Sequence, residues 1–105
     1  MRIPDRVKIG GLTYTVTETP NITLGREYGG EIFYETLRIN IRPVGSGKKE
    51  RIFLHEVLHG IFDNLGYTDH DEKKIDELAG ALYALIVDNP DMFKDNQQSN
   101  DDLQD

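Results

Sequence analysis

Residues 48–66 read KKERIFLHEVLHGIFDNLG, and here the hydrophobic period changes the kind of structure that the chain can build. Ile52, His55, Glu56, His59 and Phe62 recur at helical spacing on nearby faces, with Phe53, Val57, Leu58, Ile61 and Leu65 as mostly buried flanks. Gly66 stands where such a helix would stop. A second helical pattern follows in DHDEKKIDELAGALYALIVDNP, residues 69–90. Its apolar stripe is Ile75, Leu78, Leu82, Leu85 and Ile86; Asp69 followed by Glu72 has the form of a cap, and Pro90 helps to end it. The short joint between the two patterns predicts antiparallel packing.

Upstream of residue 48 the period is two. In VKIGGLTYTVTE, residues 7–18, Val7 and Ile9 alternate with charge, and Leu12, Tyr14 and Val16 alternate with threonines on either side of Gly10-Gly11. That pattern predicts a hairpin, which Pro20 and Asn21 break. Ile22 and Leu24 suggest a short edge strand before the Gly29-Gly30 turn. EIFYETLRINIR, residues 31–42, puts Leu37, Ile39 and Ile41 on one face and Arg38, Asn40 and Arg42 on the other, with a tight turn at Glu35-Thr36. Pro43 and the Gly45-Ser46-Gly47 run close the strand region. Strands first and helices second define an α+β domain: an N-terminal antiparallel sheet followed by two packed helices.

Composition limits what this domain can do. In 105 residues, 12 Lys and Arg face 19 Asp and Glu, a net charge of -7, which argues against binding nucleic acid through its backbone. There is no cysteine, which excludes disulfide scaffolds, thiolate metal sites and cysteine nucleophiles. The opening MRIPDRVKIGG lacks the apolar stretch of a signal peptide, and no run suits a membrane span, so a cytoplasmic protein is expected. Much of the negative charge collects after Asp88, and DNQQSNDDLQD offers only Leu103 to a core. The expected organisation is one domain over residues 1–93 and an acidic, disordered tail over 94–105.

HEVLH, residues 55–59, carries the chemistry. Residues four apart on a helix stand one turn above each other, so His55 and His59 can turn their rings onto one metal ion. Glu56 projects beside them, where it can take a proton from bound water. Zinc suits such a site, because it lowers the pKa of its water to about 7. A third protein ligand is needed, and the second helix is the place to seek it. Asp76 ranks first, because Ala79 and Gly80 beside it permit a close approach of the helices. Glu72, His70 and Glu77 follow in that order; the ordinary role of Glu72 would be stabilising a helix N-terminus. Tyr28, Tyr34, Tyr67 and Tyr83 are candidate donors to a carbonyl oxyanion, and the Leu37–Arg42 strand is a candidate edge for an extended peptide.

The stretch from the Leu37 strand through LHEVLHGIFDNLG to DELAGALYALIVDNPDMF resembles the small HExxH proteins of bacterial phages and prophages. It is more distantly similar to the ImmA/IrrE-type metallopeptidases, which have a minimal zincin fold. The resemblance covers residues 7–93. It implies that His55 and His59 bind zinc, that Glu56 is the base, and that an acid three residues before an Ala-Asn pair completes the site. Ala79-Gly80 matches that pair, which puts the carried-over ligand at Asp76. The family usually has glutamate there and asparagine in place of Gly80. The expected function is therefore a zinc metallopeptidase acting on a protein or peptide substrate or regulator, with a phage or host protein as partner. The alternative is a zinc-stabilised, non-catalytic phage structural or interaction module.

Overall fold

The computed structural model describes residues 1–95, so most of the expected tail, from residue 96, lies outside the described residues. Strands β1 (Arg6–Ile9) and β2 (Leu12–Glu18) pair antiparallel about Gly10-Gly11. These glycines have φ of 58° and 87°, two successive left-handed residues that a tight hairpin turn requires. Strands β3 (Gly30–Phe33) and β4 (Arg38–Ile41) form a second antiparallel pair. Leu37 stands at φ 57° in their turn, so the strand begins one residue later than the apolar alternation indicates.

The sheet is mixed, not antiparallel throughout. Its order is β1-β2-β4-β3, with β2 and β4 parallel. A two-residue turn forces antiparallel neighbours, but β2 and β4 are joined through a long loop and β3, which frees β4 to enter beside β2 in the same direction. The strand expected at an edge is thus interior, and β3 is the edge strand, packed against α1.

Residues 19–29 contain no strand. This segment is held by side chains instead. The Arg42 guanidinium donates to the carbonyls of Pro20 at 3.0 Å, Gly25 at 2.9 Å and Tyr28 at 3.0 Å. The Glu31 carboxylate accepts from the N–H groups of Thr23 at 3.1 Å and Leu24 at 3.2 Å, and from the amide of Asn40, its opposite number on β4, at 2.9 Å. Burial pushes the Glu31 carboxyl up, but these donors outweigh it and hold the group below its ordinary value.

Helix α1 (Lys48–Asn64) starts with Glu50 accepting from the Gly47 N–H. It ends as the sequence indicates: Gly66, at φ 96°, donates to Asp63 O, and Tyr67 N–H returns to Phe62 O. Helix α2 (Glu72–Asp88) is capped by Asp71, whose Oδ1 accepts from Lys73 and Lys74 N–H. Asp69 is not the cap, because it lies two residues too early to reach those donors. The helices run antiparallel. His59 opposes Glu72, His55 opposes Asp76, Arg51 lies over Gly80, and Tyr83 Oη comes near Gly47.

The core lies between one sheet face and α1, built from Ile9, Tyr14, Ile39, Ile41, Phe53 and Leu54, with Ala79 sealing it from α2. A Cβ on Gly60 would come within 2.8 Å of Ile9 Cδ1, so α1 needs glycine there to approach the sheet so closely. Helix α2 packs on α1 rather than on the sheet. Only part of its expected stripe is covered as a result: Ile75 is buried, while Leu78 and Leu85 stay exposed. Leu65, expected to be a buried flank of α1, is also exposed. Among the described residues, no helix is long and apolar enough to cross a membrane.

Candidate metal centre

His55 and His59 stand one turn apart on the face of α1 turned towards α2, their ring centroids 5.0 Å apart. Glu72, the first residue of α2, brings its carboxylate to both rings. Its Oε1 lies 3.2 Å from His55 Nε2, and its Oε2 lies 2.9 Å from His59 Nε2. One donor atom from each of these three residues lies within 4.8 Å of the others, a group that could hold a metal ion. The donors are two imidazole nitrogens and a carboxylate oxygen, groups that can share one ion. Burial pushes His59 below its ordinary pKa, favouring the neutral ring that a metal requires.

The residues considered from sequence as third ligand take separate places. Glu72 reaches both imidazoles. Asp76, one turn further along α2, puts its Oδ1 3.3 Å from His55 Nδ1, the nitrogen turned away from the group. Antiparallel packing explains this: the start of α2 lies opposite His59, and the next turn has already moved past it. His70 touches the back of His59, with the two Nδ1 atoms 2.8 Å apart. Glu77 is exposed and is not in the group. The geometry thus offers Glu72, rather than Asp76, for the shared position. Asp76 is placed to accept from His55 Nδ1–H and so leave the lone pair on Nε2, the usual arrangement on the far side of a ligating histidine.

Glu56 is buried, 7% exposed. Burial, followed by the charges of Glu72 and Glu31, pushes its carboxyl up to about 8. A cation bound alongside would favour the ionised form and bring it down. Space for this carboxylate comes from Gly30. A Cβ there would lie 2.9 Å from Asn40 O and 3.2 Å from Glu56 Oε2. From the sequence, Gly30 reads only as part of a turn, and nothing in one chain signals this packing role.

The group sits between two open sections of one groove. One, about 330 Å³, runs along α1 towards Arg51 and Lys48; the other, about 590 Å³, runs past Ile32 and Tyr34. Tyr28, Gly30, His55, Glu56 and Glu72 border both. The hydroxyl of Tyr34 is pushed up to about 12, by burial first and then by nearby acids, so it is an O–H donor at neutral pH. The Tyr67 ring lies against Phe62. Tyr83 is near Gly47, just before the first turn of α1, and lines neither section of the groove. Strand β3 lines the groove in the place that the sequence assigned to residues 37–42.

Compared with protein-family models, curated proteins and solved structures, the chain matches none.

Proposed function

We propose that this protein is a zinc-dependent metallopeptidase that hydrolyses an amide bond of a protein or peptide. His55, His59 and Glu72 hold the metal, and Glu56 is the general base. The reading is carried by one observation: the Glu72 carboxylate meets both Nε2 atoms, with a buried Glu56 beside them in a groove open on two sides. When bound, zinc supplies a Lewis acid and an acidified water. The chain's own residues do the rest. Glu56 takes a proton on its carboxylate and returns it to the leaving amine. Tyr34 can donate to a carbonyl oxygen, and the free edge of β3 can hold an extended peptide by its backbone. The expected setting is the cytoplasm of a bacterial or phage-infected cell, with a phage or host protein as substrate or partner.

The test uses protein purified without chelator or metal-affinity tag. Native mass spectrometry should find one zinc per chain, lost in His59→Ala. A peptide library should be cleaved by the wild type and not by Glu56→Gln, which keeps its zinc. Cleavage at full rate by Glu56→Gln, or no zinc uptake by the wild type, would refute the proposal. A metal-stabilised module without turnover has one observation of its own: among the described elements α2 packs on α1 alone, and a metal on the histidine–Glu72 group would tie its first turn there. Stoichiometric zinc with no cleavage of any peptide would favour that reading.

A further inference from the structure

We infer that the section of the groove beside the first turns of α1 is a subsite for a substrate carboxylate, with Arg51 as its specificity-determining residue and Lys48 beside it. The inference deepens the peptidase reading above and rests on it for where the bond is cut. Arg51, His55 and His59 follow one another at four-residue intervals, so they share the face of α1 turned towards α2. Arg51 therefore stands one turn, about 6 Å, from His55 along the helix, and Lys48 nearly one turn further. Both line the section of about 330 Å³ that His55, Glu56 and Glu72 also line.

Charge is divided along this section. Among the described residues, neither Arg51 nor Lys48 has a carboxylate within 4.0 Å. In a chain of net charge -7 acids are plentiful, but those nearby are engaged elsewhere. Lys49 pairs with Glu18 of β2, and Glu50 accepts from the Gly47 N–H. Glu72 and Asp76 turn to the histidines. Glu27 lines the section from the loop before β3, but it is exposed and pairs with neither cation. The Arg51 guanidinium rests over Gly80, its Nη2 2.9 Å from where a Cβ would stand, so α2 leaves the planar fork its room. A guanidinium without an acid presents two parallel N–H donors, the match of a carboxylate. Ile52 and Ala79 line the section too, which gives apolar surface to the stem of a side chain with a charged end. An extended peptide advances about 3.3 Å per residue, so this carboxylate falls within roughly two residues of the bond at the metal. It belongs either to an aspartyl or glutamyl side chain or to the C-terminus of the peptide.

The experiment begins with binding, which needs no turnover. The protein is used loaded with zinc, or as purified if it takes up none. NMR titrations compare a blocked alanine–glutamate–alanine peptide with its glutamine counterpart, and trialanine with a free C-terminus against its amide. A carboxylate peptide should shift the backbone amides of residues 48–55 and saturate at concentrations roughly tenfold below its uncharged counterpart. A preference in the first pair assigns the subsite to an acidic side chain, and one in the second pair to the chain end. Arg51→Ala should abolish the preference. Arg51→Glu should turn it towards a lysine peptide, a gain that misfolding cannot produce. Lys49→Ala removes a charge that pairs outside this section, and should keep it. Carboxylate peptides that bind no better than their counterparts would overturn the inference. So would a preference kept in Arg51→Ala, which would put the carboxylate on the metal alone. In the peptide library, the wild type should cut within about two residues of an acid or of the C-terminus. Cuts without that enrichment would also overturn the inference. A binding preference lost in Arg51→Ala, with no peptide cut by the zinc-loaded wild type, would refute only the peptidase reading.

Discussion

Three side chains meet the rings of His55 and His59 at different nitrogens. Glu72 meets the inner nitrogens of both histidines, while Asp76 and His70 each hold an outer one. Removing the shared carboxylate should therefore hurt metal binding more than removing either support. In a chelator competition, Glu72→Ala should lose zinc at least ~100-fold, and Asp76→Asn only about tenfold. The reverse order would return Asp76 to the ligand position. Glu31 supports the site differently, as a buried carboxylate with three donors. Glu31→Gln would turn an amide N–H₂ against at least one of those donors, and should lower stability by about 1–3 kcal/mol in urea unfolding at pH 7. The pH dependence has a defined sign. The folded pKa lies below the ordinary 4.5, so the carboxylate's contribution is full well above that value and is lost as pH falls through the folded one. The gap between wild type and Glu31→Gln should narrow under acid; a gap that widened would contradict this.

Among the elements, α1 and β3 approach closely around two neighbouring glycines. A methyl at Gly30 would meet backbone, the Asn40 carbonyl at 2.9 Å, together with Ile52 and the Glu56 carboxylate. A methyl at the neighbouring Gly29 would meet only the Ile52 side chain, at 2.8 Å, which can turn away. Gly30→Ala should therefore cost about 1–3 kcal/mol and Gly29→Ala clearly less, by thermal or urea unfolding. Equal costs would mean that α1 and β3 can separate freely. The space at Gly80 has a related use. It receives the Arg51 guanidinium, so the small residues of α2 admit a side chain from α1 as well as a close helix. The sequence expresses the smallness of Gly80 but not what fills the room.

In the whole molecule, α2 is an outer layer resting on α1. A metal bound by two residues of α1 and one of α2 would tie that layer down, and its binding energy would add to folding stability. Excess zinc should raise the unfolding temperature by several degrees. A chelator should reverse the rise, and His59→Ala should abolish it. With a metal at 100 times its dissociation constant the gain is about 2.7 kcal/mol, which is large against the total stability of so small a domain. No thermal shift with zinc would argue against a shared site between the helices.

The sequence by itself determined the local structure and the donors. The Gly10-Gly11 hairpin, the Glu35-Thr36 turn, the Gly66 helix stop and the two helices follow from backbone sterics and hydrophobic period. His55 and His59 on one helix face follow from the 3.6-residue turn. Only the tertiary structure decided which strand lies beside which, because a period of two assigns faces and not partners; β4 thus became interior and parallel to β2. It also decided among the acids and His70. Their spacing along α2 and its preceding turn is legible, but the register of α2 against α1 is set by Ile75 and Ala79 packing in the core and by the length of the connecting turn. That register brought Glu72 to both histidines, Asp76 to the back of one and His70 to the back of the other.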